Sequence, residues 1–581
     1  MMSTSNIEKM ESMDNSHVNF MGGKSFEPNP LISLKLVVTS FFLGESKQYY
    51  REIDDSKNDK SYDKTCLTEY HKQLDGIVLN KSEWCNKSSL TIFYDVCQKA
   101  LDYDFEGVLN LAKTTRNDFL MRKTPQMILA FAAAHPMRED FNKKNPTLFR
   151  KIILECCPLP GDMINILEAW KNLKGSKSGF PSFIKRAFAD RISVLTPYQA
   201  NKYRKPCIDA TRISHPSNPK PLIQELMENG DVEVDECDLK WETLRSQGKS
   251  WLETLDILKW KMPHMAALRN IIGFARNVRN TEHIKRYCDM VVDGVKGGKQ
   301  FPYRYLTAYQ QISKNSKTEQ KTKKVFRDVK SGQSKKWFNK PLRKEDEKTI
   351  ADCLERCLQR SIENFPKLKG NVCCLSDNSG SAHGTITSTY GENTVADIGN
   401  LSALFTAYSC TGRGMIGLFG DKLLEYEVDK SKSLLQQYDE IQTLAGPRGQ
   451  NVGGSTENGI WLFFKRAMAE PTKYRFDYWF AYSDMQAGHG GLYGNDPEMA
   501  DEWLWSDTST KYIHIPKLLE NYRKKINPKL NCFTVQTAGY DNSILPEATY
   551  RGAILAGWTG NEAVYADRIA KLWDEIEKIQ S

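Results

Sequence analysis

Apolar residues recur at three- and four-residue spacing from about residue 29 to residue 310. One such run consists of Phe105, Val108, Leu109 and Ala112. This spacing places apolar side chains on one face of a helix. Prolines mark turns between the segments, at Pro136, Pro158, Pro197, Pro216 and Pro263. Many short helices separated by such turns predict an all-α, solenoid-like array of stacked helical pairs.

From about residue 370 the pattern changes, because apolar runs of strand length alternate with amphipathic segments. The strand-like runs are 372–375, 415–419, 478–482 and 532–536. The helical segments between them include 395–409, 457–469 and 514–525. This alternation predicts an α/β domain built on a mostly parallel, doubly wound sheet.

Two segments fit neither pattern. Residues 1–28 are polar and predict a disordered N-terminal tail. Residues 311–348 hold 13 basic and 5 acidic residues with little apolar content, which predicts a flexible basic connector. A helical pattern returns at 349–364. We therefore expect a helical domain at 29–310 and an α/β domain at 349–581.

Charge is distributed unevenly between the two halves. Residues 1–370 carry 62 basic and 46 acidic side chains, a net charge of +16, whereas residues 371–581 carry 19 and 26, a net charge of −7. A basic front predicts an anionic partner, and nucleic acid is the first candidate because its binding depends on phosphate neutralisation.

The cysteines and the N-terminal segment indicate the compartment. The 14 cysteines are scattered without the spacing of a zinc site, which favours buried free thiols in a reducing environment. No N-terminal signal is visible, and the apolar run 31–43 contains Lys35 and is too short to span a bilayer. We expect a cytoplasmic protein that is not inserted in a membrane.

A candidate metal site follows the first predicted strand. Asp377, Ser379 and Ser381 form a D-x-S-x-S sequence at a strand-to-helix turn, where open α/β sheets bind ligands. A hydroxyl from Thr456, with Ser455 as an alternative in register, and the carboxylate of Asp484 can complete the set. These hard oxygen donors suit Mg²⁺ first, with Mn²⁺ or Ca²⁺ as alternatives. The simpler interpretation is that Asp377 and Ser379 only cap the next helix.

This set resembles the metal-ion-dependent adhesion site of von Willebrand factor A domains. That family uses an aspartate and two serines in its first loop, a threonine in its second and an aspartate in its third. The resemblance implies a divalent cation with a coordination position open to an acidic group on a protein partner.

The densest positive charge lies in residues 171–220, which hold 11 basic side chains against Asp190 and Asp209. Basic side chains can contact phosphates, and tyrosine and histidine can stack on unpaired bases. The candidate RNA contacts are Lys185, Arg186, Lys202, Tyr203, Arg204, Lys205 and His215. The alternative is an ordinary solvated helix face.

In the same region the chain resembles the TROVE domain of Ro ribonucleoproteins. The similar stretches include Phe183 to Asp190, Asn201 to Lys205 and Arg212 to Pro216. Ro proteins join this domain to a von Willebrand factor A-like domain, which is the order inferred above. Pro206 departs from the family pattern, which carries more basic residues there.

The Ro resemblance implies a ring of HEAT-like helical repeats, closed by the A-like domain. It also implies binding of small noncoding Y RNAs, entry of single-stranded 3′ ends of misfolded RNAs into the ring, and a role in RNA stability or quality control. We expect a monomer that acts by binding and not by catalysis. The rival interpretation is a protein-interaction scaffold that holds an acidic partner through the metal; a metal-dependent nuclease would need more carboxylates.

Overall fold

The computed structural model describes residues 16–18, 24–26, 28–38, 89–118, 121–175, 179–217, 219–233, 239–298, 300, 302–317, 324–327, 334–337, 342–363, 366–384, 394–453, 457–483, 504–507, 510–537, 543–546, 549–556 and 562–580.

The N-terminal part is a succession of short helices, as the apolar spacing predicts. They are α1 (Pro30–Leu36), α2 (Ser89–Tyr103), α3 (Phe105–Asn117), α4 (Thr124–Ala134), α5 (Arg138–Lys144), α6 (Leu148–Cys156), α7 (Pro160–Lys174), α8 (Ser182–Ile192), α9 (Pro197–Lys202), α10 (Arg204–Ser214), α11 (Pro221–Asn229), α12 (Trp241–Ser246), α13 (Trp251–Ile257), α14 (His264–Val278), α15 (Thr281–Asp293), α16 (Val295–Gly298), α17 (Tyr303–Lys317) and α18 (Lys344–Ile362).

Local signals in the sequence set the ends of these helices. Asp104 caps α3 by accepting a hydrogen bond from the Gly107 N–H at 2.8 Å. Thr196 and Gln199 form a capping box at the start of α9. Proline occupies the first turn of α7, α9 and α11, where its missing N–H leaves no helical bond unmade.

The helices of the array stack in two rows. In one row α4 contacts α7 and α7 contacts α10; in the other α3 contacts α6 and α6 contacts α8. One continuous apolar core joins α1 to α11, from Leu34 to Val232. A second core begins at Trp251 and continues through α18 into the α/β domain. The array is therefore two packed halves.

The C-terminal part is built on a six-stranded sheet. Its strands are β5 (Val372–Asp377), β6 (Gly414–Phe419), β7 (Leu423–Glu427), β8 (Tyr478–Ser483), β11 (Asn531–Gln536) and β12 (Gly552–Ala556), in the order β12-β11-β8-β5-β6-β7. All neighbours are parallel except β6 and β7. The first strand of the domain, β5, lies in the middle of the sheet, with later strands on both of its sides. The strand order therefore reverses beside β5, and such a topological switch point leaves a crevice at the carboxyl ends of the strands.

Helices cover both faces of this sheet. They are α19 (Gly380–Gly384), α20 (Val395–Tyr408), α21 (Leu434–Ala445), α22 (Glu457–Ala469), α23 (Ile515–Lys525) and α24 (Glu562–Gln580), with a 3₁₀ turn at Pro447–Gly449. Apolar side chains of α20, α21 and α24 fill one face, and those of α22 and α23 fill the other. The predicted doubly wound α/β domain is therefore present.

The α/β domain contacts the array at both ends. Near the start of the chain, Leu36 of α1 packs against Ile554 of β12. At the other end, Tyr309 of α17 donates a hydrogen bond to Asp439 of α21 at 3.0 Å. Glu355 of α18 accepts hydrogen bonds at 2.9 Å from the first N–H groups of α21. The chain thus closes on itself, as a ring of helices completed by an α/β domain requires.

Several predicted boundaries need correction. Within the tail predicted to be disordered, β1 (Ser16–Val18) and β2 (Lys24–Phe26) form an antiparallel pair. Within the predicted flexible connector, α17 extends to Lys317, β3 (Lys324–Arg327) pairs with β4 (Ser334–Trp337), and α18 begins at Lys344. Backbone hydrogen bonds can form such short pairs without the apolar alternation that reveals a strand in a sequence. The edge strands β7 and β12 and the pair β9 (Leu504–Asp507) and β10 (Thr510–Ile513) were not predicted either.

Two coarser expectations concern the whole chain. Every cysteine that the structure describes is a buried free thiol, as their scattered spacing predicts. Among the described helices, none is both long enough and apolar enough to cross a bilayer.

Candidate metal centre and candidate nucleic-acid interface

The candidate metal centre lies at the carboxyl end of β5, at the switch point of the sheet. The Asp377 carboxylate accepts a hydrogen bond from the Ser379 backbone N–H at 2.9 Å through Oδ1. Its Oδ2 accepts a second from the Ser483 hydroxyl at 2.8 Å. The hydroxyl oxygens of Ser379 and Ser381 lie 3.1 Å apart. The three predicted ligands of the first loop therefore converge.

Two buried side-chain amides, those of Asn378 and Asn400, hold this loop in place. The Asn378 side chain donates to Asn400 of α20 at 2.8 Å and accepts from it at 2.9 Å. Ser376 donates to the same Asn400 oxygen at 2.7 Å. On the other side, Gly449 has a φ of +71°, and a Cβ there would lie 2.2 Å from the Asn378 carbonyl oxygen. Only glycine allows the 3₁₀ turn to approach the loop so closely.

The residues present fit a hard divalent cation. Asp377 is only 2% exposed, and Ser379 is fully buried. Both carboxylate oxygens accept hydrogen bonds, and each has a second lone pair with which it can contact a cation. Burial raises the pKa of the Asp377 carboxyl, and hydrogen bonds from Ser379 and Ser483 partly offset that rise. One carboxylate with two hydroxyls is a weakly charged donor set that leaves room for a ligand from outside.

Capping explains only part of this geometry. The bond from the Ser379 N–H to Asp377 is the capping contact that the simpler interpretation predicts. The second carboxylate oxygen, however, reaches Ser483 on the neighbouring strand β8. The arrangement therefore ties two adjacent strand ends together at the position where an α/β sheet binds ligands.

The remaining predicted ligands, Thr456 and Asp484, lie outside the described residues, as does Ser455. Ser483 was missed as a site residue, although it directly precedes Asp484 and ends a buried strand beside β5. The described residues hold no group of three or more histidine, cysteine, aspartate or glutamate side chains that could bind a metal. The donors that converge here are instead mainly hydroxyls.

The predicted RNA contacts gather on α8, α9 and α10. Helices α8 and α10 are in contact. Arg186 of α8 is exposed and Lys185 is half-buried. On α10 the exposed side chains are Arg204, Lys205, Arg212 and the terminal His215. The structure thus places residues from two separate stretches of sequence on helices that contact each other, and we call their exposed side chains together the α8–α10 surface.

Lys202 and Tyr203 join α9 to α10. The Lys202 ammonium lies 5.4 Å from the centre of the Tyr198 ring and 5.6 Å from that of Tyr203. The Tyr203 ring is half-buried against the first core, and a Cβ at Gly161 would lie 3.8 Å from it. Tyr203 therefore supports the position of Lys202 and is less free to stack on a base than its sequence context predicted.

Some basic side chains of this region form ion pairs or hydrogen bonds within the protein. Arg150 forms an ion pair with Asp190, and Arg191 donates to the Leu154 carbonyl at 2.6 Å. Arg204 pairs with Asp231 at 2.7 Å, with both side chains about half exposed. In the part of the chain that the structure describes, Lys185, Arg186, Lys205 and Arg212 have no carboxylate partner. These four cations keep the surface positive.

Lys240 was not predicted as part of this surface. Its ammonium donates to the Lys202 carbonyl at 3.0 Å, across the boundary between the two halves of the array. The contact adds a further positive side chain beside Lys202. Lys240 lies 38 residues from Lys202 in the sequence, and no pattern in the sequence indicated that the two would be in contact.

Comparison with known proteins supports the architecture. No family model and no curated protein matches the sequence. Among solved structures, the crystal structure of the Deinococcus radiodurans RO (RSR) protein matches with a TM-score of 0.50 at 12% sequence identity, over 82% of this chain and 94% of that chain. A match of this extent includes both the array and the α/β domain. It confirms, at the level of the fold, the resemblance to Ro proteins.

Proposed function

We propose that this protein binds RNA through the α8–α10 surface, in the manner of Ro ribonucleoproteins. The shared architecture and the +16 charge of residues 1–370 both support this assignment. The ligands would be small structured noncoding RNAs of the Y type and single-stranded 3′ ends of misfolded RNAs. The corresponding role is in RNA stability or quality control.

One observation carries the proposal: four cations on adjacent helices have no carboxylate partner among the described residues. On α18, by contrast, both exposed arginines are paired with aspartates of α15, Arg356 with Asp289 at 2.9 Å and Arg360 with Asp293 at 2.8 Å. Unpaired surface cations repel one another and are relieved by an anion. A polyphosphate chain is the anion that contacts several of them at once.

The proposed mechanism is binding. Cations on α8 and α10 neutralise phosphates, and recognition follows the shape of the RNA because the deep major groove of an A-form helix hides its base edges. His215 lies exposed at the end of α10, where an imidazole can stack on an unpaired base. Tyr203 contributes mainly by holding Lys202 in place.

A second function is favoured by the convergence of Asp377, Ser379 and Ser381. These residues would hold a divalent cation, with Mg²⁺ the first choice and Mn²⁺ or Ca²⁺ alternatives, together with Thr456 and Asp484. A bound cation would supply a Lewis-acidic position for an acidic side chain of a protein partner. This proposal adds a protein-binding role to the α/β domain and does not compete with RNA binding by the array.

The test is the salt dependence of RNA binding in a charge variant. Arg186, Lys205 and Arg212, three of these four cations, are replaced together by alanine, and the affinity for a structured small RNA is measured at several salt concentrations. At low salt we expect the affinity for this RNA to fall by at least about tenfold. The slope of log affinity against log salt concentration should become shallower by about 2 to 3, because each phosphate contact contributes about 0.7 to 0.9 to that slope.

The matched control replaces Lys524, Lys525 and Lys571, which are exposed on the α/β domain. This variant loses the same net charge and should bind RNA like the wild type. Equal losses in both variants would mean that overall charge, and not the α8–α10 surface, attracts RNA. Binding that disappears with a chelator but ignores salt would favour the scaffold function instead.

A further inference from the structure

A cleft lies where the helical array meets the α/β domain. Its walls come from α18 of the array and α21 of the α/β domain, and Tyr309 of α17 lines it as well. Its volume is about 770 Å³, which falls within the range of roughly 300–1,000 Å³ that is usual for ligand pockets. This volume is far too large for a single ion and is sufficient for several residues of an extended peptide. We call this feature the α18–α21 cleft.

Apolar side chains make up much of the lining of the α18–α21 cleft. Ala351 of α18 and Leu435 and Leu444 of α21 all contribute to it. Leu444, like the ring of Tyr309, packs on the second core but stays only partly buried. Covering partly exposed apolar side chains removes apolar area from water, so an occupant with apolar side chains would be stabilised here.

The same cleft is strongly acidic. Among the described residues that line it there is no basic side chain, but there are four carboxylates, those of Asp352, Glu355, Asp439 and Glu440. Of these four, only Glu440 pairs with a cation, the Lys432 ammonium at 2.9 Å. Glu355 accepts hydrogen bonds from backbone N–H groups at the start of α21, and Asp439 accepts one from Tyr309. The cleft therefore holds three carboxylates that no positive side chain in the described part of the chain compensates.

The charges of the cleft identify the chemistry of an occupant. Burial raises the pKa of the Asp439 carboxyl, and the hydrogen bond from Tyr309 offsets only part of this rise. A cation beside Asp439 would favour the charged form of this carboxyl and would be held by it. Phosphate groups would instead be repelled by the uncompensated carboxylates, which argues against RNA as the occupant.

We propose that the α18–α21 cleft is a docking site for a basic peptide segment of a partner protein. Apolar side chains of this segment cover Leu435 and Leu444. Its arginine or lysine side chains pair with Asp352 and Asp439. The site is independent of RNA binding by the array, and it differs from the candidate metal centre, whose partner would be acidic. Since the array and the α/β domain form the cleft together, a bound segment also stabilises the contact between them.

The experiment measures the fluorescence anisotropy of a labelled peptide of about eight residues in which arginine and leucine alternate, at low salt. The wild type should bind this peptide and should not bind one in which glutamate replaces arginine. Asp352→Asn with Asp439→Asn should weaken binding roughly 3- to 30-fold, the range expected for the loss of two partly exposed ion pairs. The matched control is Glu168→Gln with Glu575→Gln, which also removes one exposed carboxylate from the array and one from the α/β domain and should bind like the wild type.

A second variant blocks the cleft without removing its carboxylates. Thr443 is exposed and lines the cleft, so Thr443→Lys should fold normally, place a cation near Asp439 and weaken peptide binding. The peptide should also raise the midpoint of thermal unfolding of the wild type more than that of the variant with both aspartates replaced.

Three results would overturn the proposal. The first is a wild type that does not bind the arginine peptide, or cleft variants that bind it as well as the control does. The second is equal binding of the glutamate peptide, which would reduce the cleft to an apolar surface. The third is complete displacement of the arginine peptide by an equal concentration of spermidine, which would make the cleft a site for small polyamines instead of a protein segment.

Discussion

The candidate metal centre is enclosed in the α/β domain, whereas the candidate RNA contacts are spread over the surface of the helical array. Asp377 is 2% exposed and has hydrogen bonds to both carboxylate oxygens. On α10, by contrast, Arg204, Lys205 and Arg212 are exposed, and of these three only Arg204 has an ion-pair partner among the residues that the structure describes.

The difference follows from the ligand each region would bind. A small cation needs several oxygens at fixed short distances, so its site depends on a rigid, buried loop. An RNA backbone presents many phosphates, so its binding energy is divided among exposed and partly redundant cations. Single substitutions should therefore have large effects in the α/β domain and small, additive effects in the array.

The largest effect is expected for Asp377→Ala. The change removes the only described carboxylate of the centre and leaves the Ser379 N–H and the Ser483 hydroxyl without their acceptor. Two buried donors left unsatisfied should lower the free energy of unfolding by about 2–5 kcal/mol. Titration with Mn²⁺ should detect no binding, whereas affinity of the folded protein for structured RNA should stay close to that of the wild type.

Asp377→Asn is the matched control. The amide keeps an acceptor oxygen, so most of the stability should return, but the lost charge should still prevent cation binding. Cation binding that survives Asp377→Ala would remove the proposed centre. A parallel loss of RNA affinity in Asp377→Asn would mean that the two regions are not independent.

The same contrast explains how much of each site could be predicted from sequence. The D-x-S-x-S motif concentrates three candidate ligands in five residues after an apolar run, so its local spacing was sufficient to predict that these side chains lie together. Ser483 was missed because its contact with Asp377 depends on β8 lying beside β5, which is a property of strand order and not of local pattern.

In the array, composition identified the region but not the role of each residue. Lys185, Arg186 and Lys205 are available at the surface, but Tyr203 packs against the core and Arg204 is paired with Asp231. Periodicity predicted helices well in both regions, and it could not find edge strands such as β7, which lack a complete buried face.

A smaller effect should come from the ion pairs that attach α24 to the sheet edge. Burial opposes ionisation of Glu577, but hydrogen bonds from Tyr550, Arg551 and Lys529 outweigh it and lower its pKa to about 2. Since the unfolded value is about 4.3, this carboxylate stabilises the fold above that pH and loses its contribution as the pH falls towards 2. Glu577→Gln should lower the free energy of unfolding at neutral pH by about 1–2 kcal/mol, after allowance for solvent screening.

Denaturant titrations at pH 7 and pH 3 measure this difference, which should shrink at the lower pH. Asp293→Asn in the array is the matched control, because its pair with Arg360 is exposed on both sides and should contribute little at either pH. Equal effects of the two substitutions would contradict the view that the burial of Arg551 makes the Glu577 ion pair more stabilising than an exposed one.

The smallest expected effect concerns His215, whose replacement by glycine should change protein stability and RNA affinity in opposite directions. His215 ends α10 in the left-handed conformation, with a φ of +46°, and its side chain is exposed. Glycine adopts this conformation without strain, so His215→Gly should raise the free energy of unfolding by about 0.5–1 kcal/mol. If the imidazole contacts RNA, affinity should fall roughly two- to fivefold in the same variant. His215→Asn, which also tolerates this conformation, should show the same loss of affinity with little gain in stability. A purely structural histidine would instead give a more stable protein with unchanged affinity, and the RNA contacts of α10 would then be its cations alone.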